Sequence, residues 1–146
     1  MPTGKHPRHK ARIAVMQALY SAHIGQENKD KILADIYKRY NFDNETKDYV
    51  SDLFTKSIMH KEFIVKTITK FLENWEWSRV ALLDQLILQM ATAELFYIEY
   101  VPAKVTIAEA IQIAKLYSTS ESSAFVNGIL DSIYKDLKSD KIKIQN

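Results

Sequence analysis

Basic and imidazole side chains crowd one stretch of this chain: Lys5, His6, Arg8, His9, Lys10 and Arg12, with no acidic residue before Glu27. Residues 1–26 hold four of the 20 Lys and Arg and none of the 18 Asp and Glu, leaving 16 basic against 18 acidic residues elsewhere. The net charge of +2 is therefore a local positive field. Such a field draws a polyanion to one end of a molecule. A solvated basic tail produces the same pattern, and charge alone does not separate the two.

Catalytic chemistry finds no template. The three glycines, Gly4, Gly25 and Gly128, lie too far apart for a loop whose amides cradle phosphate. With no cysteine there is no thiol nucleophile and no thiolate metal site, which fits a reducing cytoplasm. Neither a G-x-S-x-G elbow nor an H-E-x-x-H zinc pair occurs. His6 and His9 stand among cations that oppose a metal ion, His23 and His60 stand alone, and Asp84 and Glu94 are spaced charges on one helix. These residues describe a binding module with no catalytic residue, cofactor or metal.

The elements that must position them are helices. Apolar residues recur at helical spacing throughout, and few glycines or prolines interrupt them. Helix one runs over 8–24, with Pro7 at its start and Gly25 past its end. Others cover 30–40, 45–59 and 63–73, the last two without a breaker between them. Trp75 and Trp77 mark a junction and are expected to plug a seam between two halves, 1–75 and 76–146, of a single 146-residue domain. The central helix covers 79–100 and is apolar on most sides. Thr106 with Glu109 and Ser118 with Glu121 match capping boxes for two further helices, and the tail from 139 is expected to fray. No apolar run reaches membrane-spanning length, and no signal core precedes Lys10, so a soluble, unprocessed chain is expected.

On a helical wheel, Ala11, Val15, Met16, Ala18, Leu19 and Ala22 face the core, while Lys10, Ala14, Gln17 and Ser21 form a narrow opposite stripe bordered by Tyr20. Cations grip phosphates, and amides and rings read and stack unpaired bases. A solvated Gln17 and a Tyr20 that caps the core would give the same wheel. In the last helix Val126, Leu130, Ile133 and Leu137 form the core stripe, with Phe125 at its edge. Ahead of Phe125 the hydroxyls and amides of the segment 118–123, Ser122 and Ser123 among them, suit a phosphate. Gly128 costs about 1 kcal/mol relative to alanine in mid-helix, which suggests a close helix neighbour or a ligand on the backbone.

Three blocks, KARIAVMQALYS, VPAKVTIAEAIQIAK and FVNGILDSI, resemble the transcription antitermination family NusB, in order and across nearly the whole chain. The resemblance implies an all-α fold of two three-helix subdomains packed at a steep angle. It also implies a non-enzymatic factor that binds single-stranded boxA RNA of ribosomal RNA leader transcripts. The ribosomal protein NusE would be its companion, within an RNA polymerase antitermination complex. The family's RNA-contacting positions fall on Arg8, His9, Lys10, Arg12, Gln17, Tyr20 and Phe125, and its NusE-contacting position on Glu94. Departures from the family are Arg-His-Lys in place of an arginine run, Ala124 in place of a basic residue, and Gln85, Gln89 and Ala93 on the central helix. They weaken individual grips and put the details of NusE docking in doubt.

A different class of function competes with this one: a self-associating helical module, a homodimer whose basic end folds against the acids of a second copy, with no RNA role. Docking on a membrane surface ranks last, because the core needs the apolar arc of helix one.

Overall fold

The computed structural model describes residues 7–25 and 28–146; Lys5, His6 and Glu27 lie outside that set. Among the described residues, seven helices occur in the order α1 (Pro7–Gly25), α2 (Lys29–Arg39), α3 (Asn44–Met59), α4 (Lys61–Thr69), α5 (Leu82–Tyr97), α6 (Ala103–Tyr117) and α7 (Ser120–Lys138), with a short 3₁₀ turn at Trp77–Arg79. Among the described residues there is no strand, and no helix is long and apolar enough to cross a membrane.

Side-chain caps fix three helix starts, those of α2, α3 and α7. Asn28 accepts from the amide of Asp30 at 2.7 Å, Asp43 from that of Thr46 at 2.8 Å, and Thr119 from that of Ser122 at 3.0 Å. Each satisfies one of the amides a first turn leaves orphaned. Both expected capping boxes shift. Pro102 holds the α6 cap position, which leaves Thr106 buried inside that helix. Thr119, not Ser118, caps α7. The expected continuation of α3 into α4 is broken at His60, whose ring stacks on Tyr97 with centroids 4.1 Å apart.

Helix α5 is the axis. Every residue from Leu86 to Glu94 is buried, so the helix is enclosed on all sides by α1, α3, α4, α6 and α7. It is shorter than its apolar run suggested, because Val80 and Ile98 are buried from the flanking loops and not from the helix. Helices α1 and α3 pack together on one side and α6 and α7 on the other, around one apolar core that runs from Ala11 to Ile133. Trp77 packs partly into that core while Trp75 is 58 % exposed, so only one tryptophan plugs a seam. The tail is pinned as well: Ile142 and Ile144 pack on the core, and the Tyr97 hydroxyl donates to the Gln145 carbonyl at 2.5 Å. Gly128 is exposed, and a Cβ placed there would meet nothing within 4 Å, so no neighbouring helix explains it.

Candidate nucleic-acid interface

The basic front of α1 is divided between the surface and the interior. Lys10 is exposed, whereas Arg12 is only 2 % exposed. Its Nε donates to Glu94 Oε1 at 2.9 Å and its Nη2 to Oε2 at 2.8 Å, a two-pronged bond to α5. The Tyr49 hydroxyl adds a third bond to Glu94 Oε2 at 2.6 Å, and Nη1 approaches Glu109 of α6 at 3.4 Å. Arg12 and Glu94 therefore join α1, α3, α5 and α6 through a buried pair. Burial works against the Arg12 charge, but the Glu94 hydrogen bond and neighbouring charges leave its pKa raised. Burial, reinforced by the Glu94 charge, pushes the Tyr49 phenol far above its ordinary range.

This placement corrects two expected roles. Arg12 as a phosphate grip and Glu94, 1 % exposed, as a partner contact are both interior in the folded chain and saturated by one another. Around them, His9 Nδ1 lies 3.0 Å from Glu109 Oε1, a bond in which a protonated Nδ1 donates. The Arg8 guanidinium sits 4.3 Å from the centre of the Tyr49 ring and 5.3 Å from that of the exposed Tyr100. Arg8 is thus a cation spread on aromatic faces.

Further along α1 the expected polar stripe does not exist as drawn, since Ala14 is fully buried between neighbouring helices. Gln17 is half-buried, and its Oε1 accepts from Arg39 Nη1 at 3.1 Å and from the Tyr40 hydroxyl at 2.9 Å. The amide oxygen is thereby occupied, so a further partner of Gln17 would meet its NH₂ group. Tyr20, one turn on, is 46 % exposed. Tyr40 and Phe42 stack on each other, centroids 5.0 Å apart and planes 3° from parallel. They share a cavity of about 440 Å³ with Lys10, Arg39, Asn41, Asp43 and Thr46. None of Tyr49, Tyr100, Arg39, Tyr40 and Phe42 was singled out from the sequence. The run Lys38-Arg39-Tyr40-Asn41-Phe42 was the available signal, two cations followed by alternating rings.

At the start of α7, Ser118 Oγ donates to Ser122 Oγ at 2.8 Å, and Ser122 Oγ donates to Asp84 Oδ2 at 2.8 Å. Ser123 is buried and donates to the Ser120 carbonyl at 2.8 Å, so its hydroxyl is spent inside the helix. Phe125 is half-buried and lines a cavity of about 310 Å³. Helix α6 relates this end to α1. Its Glu109 meets His9 and Arg12, and two turns later Tyr117 lies near enough to Tyr40, the partner of Gln17, to influence its phenol. The α7 start follows directly at Ser120. Among the described residues, no group of three or more His, Asp or Glu is placed to hold a metal ion.

Comparison with known proteins agrees with this architecture. The chain is 40 % identical to the transcription antitermination protein NusB of Chloroherpeton thalassium over 90 % of its own length, and spans 63 % of that relative's length. A solved NusB from T. maritima superposes with a TM-score of 0.83 at 36 % identity, covering 91 % of this chain and 94 % of that one. A crystal structure of antitermination factors NusB and NusE in complex with dsRNA contains a chain with a TM-score of 0.80 at 25 % identity, covering 88 % of this chain and 96 % of that one. Residues 9–135, which hold the buried Arg12–Glu94 pair, the ring-lined cavity and Phe125, match the model of the NusB family, and the chain belongs to that family.

Proposed function

We propose that this chain is a non-enzymatic transcription antitermination factor. It binds boxA-type single-stranded RNA of ribosomal RNA leader transcripts together with the ribosomal protein NusE, within an RNA polymerase antitermination complex. The observation that carries the reading is the side of α1 where Lys10 and Arg39 flank the stacked Tyr40–Phe42 pair beside Gln17, with Tyr20 exposed one turn away. Cations beside one exposed ring and two half-buried ones are what a single strand can use: charge for its phosphates, faces for its bases. The complex of a similar NusB with NusE and dsRNA supports RNA and NusE as the class of partner.

Binding is tested by fluorescence anisotropy of a boxA-type RNA and a scrambled RNA at fixed moderate salt, with and without NusE. The boxA-type RNA binds more tightly, and NusE widens the difference. Equal affinity for both RNAs under both conditions would overturn the reading. With Arg12 sequestered, about two or three cations reach phosphate, so log K against log salt has a slope of about −1.4 to −2.1 for single strands.

A further inference from the structure

A cavity of about 290 Å³ lies between the end of α1, the junction of α3 with α4, the Trp77 turn and α5. Leu19, Ile58, Leu86 and Trp77 make its walls largely apolar. Gln85 and Gln89, one turn apart on α5, line it as well, and each spends its NH₂ group on a backbone carbonyl. Gln85 Nε2 donates to the Trp77 carbonyl at 2.7 Å, and Gln89 Nε2 to that of Ser57 at 2.8 Å. A carbonyl only accepts, so these bonds fix which end of each carboxamide is nitrogen and leave both Oε1 atoms unspent. Among the described residues, neither Oε1 accepts a hydrogen bond. Gln89 is 3 % exposed, so its oxygen is offered to the cavity and not to open solvent. A buried acceptor left unmet costs stability unless some donor reaches it. Lys61 and His23, both exposed, stand at the rim, and none of the lining residues is acidic.

We propose that this cavity is a small-molecule site for an aromatic amine that carries a carboxylate at its far end. Its three parts answer three features of the wall. The amine is the donor that two carboxamide oxygens require. Its two hydrogens, diverging at about 120° with N···O near 3 Å, reach acceptors about 5 Å apart, close to the roughly 5–6 Å that separates side chains at i and i+4 on a helix. The flat ring lies among Leu19, Ile58 and Leu86 and against Trp77, where an aromatic neighbour adds to simple burial. The carboxylate stays at the rim, where Lys61 supplies the charge. An alkylammonium would satisfy the same two oxygens but would bring its charge against Lys61, and a phenyl ring without donors would leave both oxygens unmet. Size agrees: a cavity of about 150 Å³ takes benzene, so about 290 Å³ accommodates a ring with a substituent at each end.

The test titrates the full chain with 4-aminobenzoate, benzoate and aniline, followed by ligand-observed NMR. 4-Aminobenzoate binds about tenfold more tightly than benzoate, the scale of two acceptors met instead of stranded. It binds about two- to fivefold more tightly than aniline, the scale of one exposed ion pair. Gln89→Met removes one of the two oxygens and shrinks the first difference. Lys61→Glu abolishes the second difference and leaves aniline binding as in the parent. Lys61 opens α4, where an acidic side chain suits the helix dipole, so this variant keeps the test decisive if Gln89→Met folds poorly. No saturable binding of 4-aminobenzoate, or affinity equal to that of benzoate, overturns the proposal. A ranking of the three ligands that survives both substitutions also overturns it, since the ligands would then occupy another place. If none of them binds and Lys61→Glu instead weakens NusE binding, the cavity takes a side chain of a partner protein and the proposal fails.

Discussion

Substituting Arg12 by methionine keeps an aliphatic stem in α1 and removes the guanidinium, so that Glu94 loses two of its three close hydrogen bonds. The carboxylate is 1 % exposed and cannot turn to water for replacements. Removing one partner of a buried ion pair costs about 3–5 kcal/mol, because the other charge is stranded. For a domain whose whole stability is about 5–15 kcal/mol, that is a large share, and at roughly 2–4 °C per kcal/mol the melting temperature falls by about 6–20 °C. Arg12→Met combined with Glu94→Gln leaves no stranded charge, and the glutamine oxygen still accepts from Tyr49. The double variant is therefore more stable than Arg12→Met alone. Urea unfolding of the parent, both singles and the double gives the coupling free energy directly. RNA anisotropy, run well below the transition, checks the complementary point that a sequestered guanidinium contributes little to phosphate binding. An Arg12→Met variant as stable as the parent but unable to bind RNA would refute the reasoning, since Arg12 would then be gripping the ligand and not the fold.

Further outcomes follow from single side chains. Phe125→Ala weakens RNA binding by about 1–3 kcal/mol, the scale of one stacked base. Because the ring is half-buried, its stability cost in a thermal melt stays below the roughly 3–5 kcal/mol of a full core phenylalanine. Gly128→Ala, with open space around the added methyl, raises stability by about 0.5–1 kcal/mol in denaturant unfolding; destabilisation would mean that the helix needs glycine there. Tyr49→Phe loses a hydrogen bond to a buried carboxylate and costs about 1.5–3 kcal/mol at neutral pH. Since folding raises the Tyr49 pKa, the stability this phenol confers is complete below about pH 10 and is lost as pH climbs above that value. The gap between parent and Tyr49→Phe therefore narrows in alkaline unfolding curves, and a gap that widened would contradict the assignment.

Much of the fold is legible in the residues themselves. Pro7 and Gly25 bracket α1, and uninterrupted apolarity marks α5 as the enclosed helix. Boundaries failed where an apolar residue serves the core from a loop, as Val80 and Ile98 do, or where a local pattern lost to a distant contact. The Thr106–Glu109 spacing reads as a cap until Glu109 is seen bonded to His9 and Arg12 of α1. The site was legible in its types more than in its roles. Counting charge assigns Arg12 to the surface, because nothing nearby in sequence announces that its acid stands 82 residues later. Lys10, Tyr20 and Phe125 need no distant partner to be exposed or half-exposed, and their wheel positions sufficed. The cavity residues Trp75, Arg79 and Asp84 come from a junction and a helix start that only folding brings to Phe125.

Photo-crosslinking of one boxA-type RNA, substituted with a photoreactive uridine and bound to the chain with NusE, tests the central claim most directly, with mass spectrometry locating the attached peptides. The account expects crosslinks from the same RNA both to the α1 segment bearing Lys10, Gln17 and Tyr20 and to the α7 start bearing Ser122 and Phe125. Crosslinks confined to one of these segments, or to neither while the RNA stays bound, would contradict it.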